Sequence, residues 1–248
     1  EEKTLNLNKD IDDRGLQHMQ TIPLLLMYIT CLWCNKIPIG NSKVEVYFNI
    51  IEFLLSITAQ KHPDILPSSE TSHDDIPEYL KNHKFCQKFY SLLLVLAELA
   101  YNTLFDERRE NKLVFDGSVA KLYLKEEDMK LSLLSGLLTG ETANLVERTI
   151  KVSFSHKTVQ ELFAAIYISS HRDGQKTFVE KCKNDGSILD TSMICEFLST
   201  TNYEMISELL EGLKIDLCKC RAVKSILLKS KICEFLSKVN SKMMCEIS

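Results

Sequence analysis

The sequence predicts a mainly α protein: a helical domain, a winged helix with a small β-hairpin, then further helices. Three observations carry this expectation. Glycine and proline are scarce, 8 and 5 in 248 residues, which suits long helices better than turn-rich sheet. Apolar residues recur at i, i+3, i+4 and i+7 over several long stretches. Strand-like patterning is confined to short segments near 113–115 and 144–155.

Residues 1–20 are polar and acidic, with Leu5, Leu7, Ile11 and Leu16 scattered among the acids, and are expected to be the tail of an upstream domain. Pro23 then opens a helix running to about Asn35, because proline in a first turn forfeits no hydrogen bond. That helix is apolar nearly all round and is expected to be buried on most sides. Pro38 and Gly40 break the chain. A second helix covers about Lys43–Lys61, with Val44, Tyr47, Phe48, Ile51, Leu54 and Leu55 on one face. Residues 62–83, with Pro63, Pro67 and Pro77 among acids, read as a loop closing a first helical domain over 21–83.

A winged-helix domain is expected over 84–171. It starts with the longest amphipathic helix, about Lys84–Phe105, ended by the charged cluster Asp106–Glu110. Leu113-Val114-Phe115 is a short strand, Lys125–Leu134 a helix with acids in its first turn, and Ser135-Gly136-Leu137-Leu138 a turn. Residues 144–155 read as a hairpin in which Leu145-Val146 pairs back against Lys151–Phe154. Ile150, Val152 and Phe154 face one way, and then the period changes. Val159, Leu162, Phe163, Ile166 and Tyr167 form a single helical stripe, and the Thr158/Glu161 spacing names Thr158 as N-cap.

Residues 172–248 are expected to form part of a second helical domain. Its helices are Lys176–Lys183, Ile188–Ser199, Tyr203–Leu213, Leu217–Leu228 and Ile232 to about Cys245. Ile194–Ser199 (Ile-Cys-Glu-Phe-Leu-Ser) recurs as Ile232–Ser237, and the excess of lysine and arginine over 214–248 reads as a solvated face.

His156 stands where strand hands over to helix, just outside the positive end of a helix dipole. Such a terminus disfavours imidazolium, so the ring is expected to be neutral near pH 7 with one nitrogen able to donate. Helix N-termini also attract phosphate. Two readings stand: His156 holds a phosphate oxygen, or it caps and packs locally.

Composition bounds the rest. A formal charge of −4 gives no reason to expect nucleic-acid binding. No signal peptide is visible and no apolar run reaches membrane-spanning length. Nine cysteines are an odd number without paired zinc spacing. Cys31/Cys34, a CxxC inside an apolar run, and Cys218/Cys220 read as buried thiols, with metal or redox use the less favoured alternative. With no Asn-x-Ser/Thr sequon, these features point to a reducing, cytoplasmic location. The chain starts at Glu1 and not at methionine, so excision from a longer polypeptide is expected.

Catalytic signatures are missing. No glycine begins G-x-x-x-x-G-K-[ST]; Gly174-Gln175-Lys176-Thr177 imitates only its end. H-E-x-x-H, G-x-S-x-G and G-x-G-x-x-G do not occur. No catalytic residue and no metal ligand is nominated.

Two segments together resemble the NACHT family of signalling NTPases, the nucleotide-binding core of NOD-like receptors. The first is T-I-P-L-L-L-M-Y-I-T-C-L-W, residues 21–33, similar to the proline-led helix that opens the family's first helical domain. The second is F-S-H-K-T-V-Q-E-L-F-A-A-I-Y, residues 154–167, similar to the family's F-x-H-x-[ST]-x-Q-E-[FL]-x-A-A signature at the end of its winged helix. L-A-E-L-A-Y-N-T-L-F (96–105), L-V-F (113–115) and S-G-L-L (135–138) lie between them in family order. The resemblance covers about 15–170.

The resemblance implies that Pro23 contacts the adenine side of bound ADP or ATP and that His156 reaches its phosphates. Read from spacing alone, Pro23 is equally well a plain helix starter. Walker A and the acidic, magnesium-binding segment are missing, so magnesium would be supplied elsewhere and this chain would not hydrolyse ATP. The implied partners are the missing upstream nucleotide-binding domain, downstream sensor repeats and further copies of the receptor on activation, with no nucleic acid and no membrane. The expected function is that of the regulatory arm of an innate-immune-type switch. The rival is a helical scaffold or adaptor that never meets nucleotide, and a third class is an enzyme with an unrecognised active site.

Overall fold

In the computed structural model, which describes residues 2–65, 76–106, 113–144, 149–184 and 192–201, helices dominate and the strands form one three-stranded antiparallel sheet. The chain falls into two compact units, 1–95 with 114–159 and 96–113 with 160–248. The division lies inside two helices, not in the proline-bearing segment 62–83.

The first unit begins with α1 (Glu2–Asp13) and α2 (Gln17–Gln20). Leu7 and Ile11, one turn apart, are buried together with Leu16 and Met19. Arg14 donates to the Gly40 carbonyl at 3.2 Å and to Asn41 Oδ1 at 2.8 Å. The opening residues are therefore packed helix, moored to the loop ahead of α4. The apolar positions that look scattered are an i, i+4 pair followed by a turn.

α3 (Pro23–Cys34) starts where expected, with Pro23 in its first turn. Only Leu25, Ile29 and Leu32 are buried, a single i, i+4, i+7 stripe, while Pro23 and Cys34 are exposed and Met27 is 50% exposed. Burial on most sides, and a buried CxxC, are thus both corrected. Composition reports how greasy a helix is, not how many neighbours it finds. The helix closes in a Schellman motif: Ile37 N donates to Leu32 O at 2.9 Å and Lys36 N to Trp33 O at 3.1 Å, with Lys36 at φ 58°.

α4 (Lys43–Lys61) matches its predicted range and, at 19 residues, exceeds every other described helix. Ser42-Lys43-Val44-Glu45 is a capping box that the apolar stripe alone does not reveal. Ser42 Oγ accepts from Glu45 N at 3.2 Å, and the Glu45 carboxylate takes the Asn41 N–H at 2.8 Å. Short 3₁₀ turns at Pro63–Ile65 and Glu78–Leu80 interrupt the expected loop.

The expected helix over 84–105 is two: α5 (Lys84–Lys88) and α6 (Tyr90–Leu104), separated by Phe89 at φ −102°, ψ 24°. The Glu52 carboxylate, from α4, accepts from the N–H groups of Phe85 (3.0 Å) and Cys86 (2.8 Å) and so caps α5. This fixes α5 on α4, and the buried Phe89 is the single irregular residue before the chain continues as α6.

β1 (Val114–Asp116), α7 (Gly117–Ala120), α8 (Glu126–Leu134), β2 (Leu138–Asn144) and β3 (Thr149–Phe154) follow in winged-helix order. β3 is central, pairing with β1 (Phe115 opposite Val152) and with β2 (Leu138 opposite Phe154, Glu141 opposite Lys151). The predicted hairpin register is therefore wrong. Residues 138–141, not Leu145-Val146, face Lys151–Phe154, and Leu145-Val146 lies outside the described residues. Gly136, at φ +73°, reverses the chain directly after α8 and delivers Leu138 into the strand. Gly117 lets the chain pass close to β3, where a Cβ would lie 3.1 Å from the Ile150 carbonyl oxygen. Val152 and Phe154 are buried, whereas Ile150 is 51% exposed.

α9 (Lys157–Ser170) leads into α10 (Arg172–Asn184) and α11 (Ser192–Thr201). In the second unit Tyr167 stacks between Tyr101 (4.6 Å) and His171 (4.2 Å), and Gln160 Nε2 donates to Thr103 Oγ1 at 2.9 Å. The helices expected at 203–213, 217–228 and 232–245, the recurrence at 232–237 and the pair Cys218/Cys220 lie outside the described residues. Among the described residues no helix is long and apolar enough to cross a membrane.

Candidate functional site at the start of α9

α9 starts two residues earlier than its capping box suggests, and His156 is itself the N-cap. The Thr158 N–H donates to His156 Nδ1 at 3.2 Å, and Thr158 Oγ1 lies 2.7 Å from the same nitrogen. Thr158 is therefore inside the first turn, and the assignment of Thr158 as N-cap is corrected. The reason is a long-range contact: Thr158 Oγ1 is also hydrogen-bonded to the hydroxyl of Tyr47, on α4. That contact holds the threonine side chain toward α4 and away from the backbone N–H groups a cap would serve.

Proton accounting fixes the tautomer. Nδ1 accepts a backbone N–H, so in the neutral ring it carries no proton and Nε2 does. Thr158 Oγ1 stands beside the same nitrogen and is joined in turn to the Tyr47 hydroxyl. Tyr47, Thr158 and His156 thus form one hydrogen-bonded run that ends at the imidazole. It leaves Nε2–H as the ring's one donor, with no protein acceptor among the described residues.

Elements placed far apart in sequence make this geometry. The capping box at Ser42 puts Lys43 in the first position of α4 and Tyr47 one turn later on the same side. Tyr47 is fully buried and Lys43 is 9% exposed. His156 is half-buried, and its pKa is held below the ordinary histidine value, first by burial and then by the nearby Lys43 cation. The ring is neutral at pH 7, as expected, but burial and a lysine are the named causes where the sequence argument invoked the helix dipole. The local reading of His156 as a cap is borne out by the hydrogen bonds, and a neutral donor at a positive helix end remains beside it.

Pro23 lies in the same compact unit, exposed at the first turn of α3. The helix-starter reading holds for it, and its ring is free of burial. Sequence reasoning missed Tyr47 and Lys43 as site residues, and only the S-x-x-E spacing at Ser42 could have placed them. Another histidine, His83, is buried and donates from Nε2 to Asn49 Oδ1 at 3.1 Å. Among the described residues no cluster of three or more histidines, cysteines or acids could hold a metal ion. Compared with known proteins, the chain matches no protein-family model and no curated protein.

Proposed function

We propose that this chain is the regulatory arm of a nucleotide-controlled signalling switch of the NACHT type, contributing lid contacts to ADP or ATP held by an upstream domain. The observation that carries the reading is the neutral His156, whose Nε2–H is its remaining donor at the start of α9, with Lys43 beside it. A phosphate oxygen supplied there would meet a neutral donor, a cation and a positive helix terminus together. Pro23, exposed at the start of α3, is the second contact, on the adenine side. The exposed face of α3 that carries Pro23 and Met27 supplies an apolar surface for the domain that holds the nucleotide. Exchange of ADP for ATP then shifts a population between closed and open states, because the two nucleotides contact His156 differently. These residues hold and release; magnesium and hydrolysis belong to the upstream domain.

The test uses the full-length protein and compares ADP retention for native, His156→Ala and His156→Asn forms. Alanine is expected to release ADP at least tenfold faster. Asparagine, which keeps the helix cap but not the imidazole N–H, is expected to lie near alanine. Retention unchanged in both would remove His156 from the site. The same apolar face of α3 also favours a second reading, an adaptor that docks a protein partner. That reading predicts partner binding indifferent to added nucleotide.

A further inference from the structure

Cys31 and Cys34 stand one turn apart on α3, both as free thiols, the first half-buried and the second exposed. Residues at i and i+3 of a helix have Cβ atoms about 5–6 Å apart. A direct disulfide needs about 3.5–4.5 Å between them, so oxidation would require the last turn of α3 to open. That turn is closed. Cys31 O accepts from Asn35 N (3.1 Å) and Asn35 Nδ2 (2.8 Å), and the Schellman bonds from Lys36 and Ile37 follow immediately.

A single soft atom between the sulfurs fits the same spacing. With metal–sulfur bonds of about 2.3 Å, two thiolates on one ion stand up to about 4.6 Å apart. Among the described residues no third histidine, cysteine or acid joins the pair, which is too few ligands for the four that zinc takes. Soft thiolates select Cu(I), an ion satisfied by two sulfurs in line. We infer that Cys31 and Cys34 form a two-thiolate site for Cu(I) on the outer side of α3. On binding, each thiol loses its proton to solvent, two S–Cu bonds form and the ligand that delivered the ion departs. Copper stays monovalent and no electron moves. The inference does not depend on the nucleotide reading.

The experiment titrates the full chain, in a Cys218→Ser/Cys220→Ser background, with Cu(I) presented as its bicinchoninate complex. One equivalent is expected to leave the chelator for the protein, and Cys31→Ser, Cys34→Ser and the double variant are each expected to lose that equivalent. Alkylation of Cys34 by iodoacetamide is expected to stop at one equivalent of Cu(I) in the parent and to continue in Cys31→Ser. Because the alkylation is read residue by residue, it holds even where a variant is less stable. Equal uptake by parent and double variant, or full uptake by both single variants, would overturn the site. Zn(II) bound with equal stoichiometry and strength would overturn the two-ligand assignment. Ready formation of a Cys31–Cys34 disulfide without loss of helix would overturn the spacing argument.

Discussion

Removing the His156 side chain tests the cap directly. His156→Ala deletes the acceptor for the Thr158 N–H and the partner of the Thr158 hydroxyl together. Loss of an N-cap acceptor costs about 0.5–2 kcal/mol, typically near 1. The stranded Thr158 hydroxyl adds little, because it is only half-buried and keeps Tyr47. The expected total is about 1–1.5 kcal/mol, which for a chain of this size lowers the melting midpoint by about 2–6 °C. His156→Asn puts an amide oxygen, among the best N-cap acceptors, at the same place and is expected to cost only a few tenths of a kcal/mol. Urea denaturation followed by circular dichroism measures both. Two variants destabilised alike would mean that the ring contributes by packing, and an unaffected alanine variant would mean that no cap exists.

Three further outcomes are expected. His156 and His83 are both held below the ordinary histidine pKa, each chiefly by burial, so the unfolded chain takes up protons first as pH falls. Stability is therefore fully present above about pH 6.5 and declines below it, and urea midpoints between pH 7.5 and 5.0 should show a shallower decline in His156→Asn. Glu52→Ala strands the N–H groups of Phe85 and Cys86 and is expected to cost about 1.5–3 kcal/mol, read as a lower urea midpoint, with Glu52→Gln losing distinctly less. Gly174→Ala, which in an open helix would stabilise, places a Cβ 3.0 Å from Tyr167 Cε1. That ring stacks on both Tyr101 and His171, so moving it disturbs both contacts, and a net loss of about 1 kcal/mol or more should appear in thermal melting.

What was legible in the sequence was what local periodicity encodes. The stripe on α4, the proline at the start of α3 and the acids opening α8 each place an element within a residue or two. What was not legible depended on contacts across long separations. Thr158 carries a good capping signal of its own, and only a tyrosine 111 positions earlier diverts its oxygen and leaves the cap to His156. The apolar pair Leu145-Val146 attracts a strand assignment, yet the backbone ladder runs through Leu-Thr-Gly-Glu, where Gly140 and Glu141 weaken the local strand signal. Burial of α3 was misjudged because hydrophobicity gives the capacity to be covered, not the presence of a cover. At the site, the neutrality of His156 followed from general electrostatics, whereas its tautomer needed the hydrogen-bond partners.

The phenol of Tyr47 makes the origin of α9 an anchorage on α4. Because Tyr47 is fully buried, its bond to the Thr158 hydroxyl is shielded from water and counts for more than the same contact would at the surface.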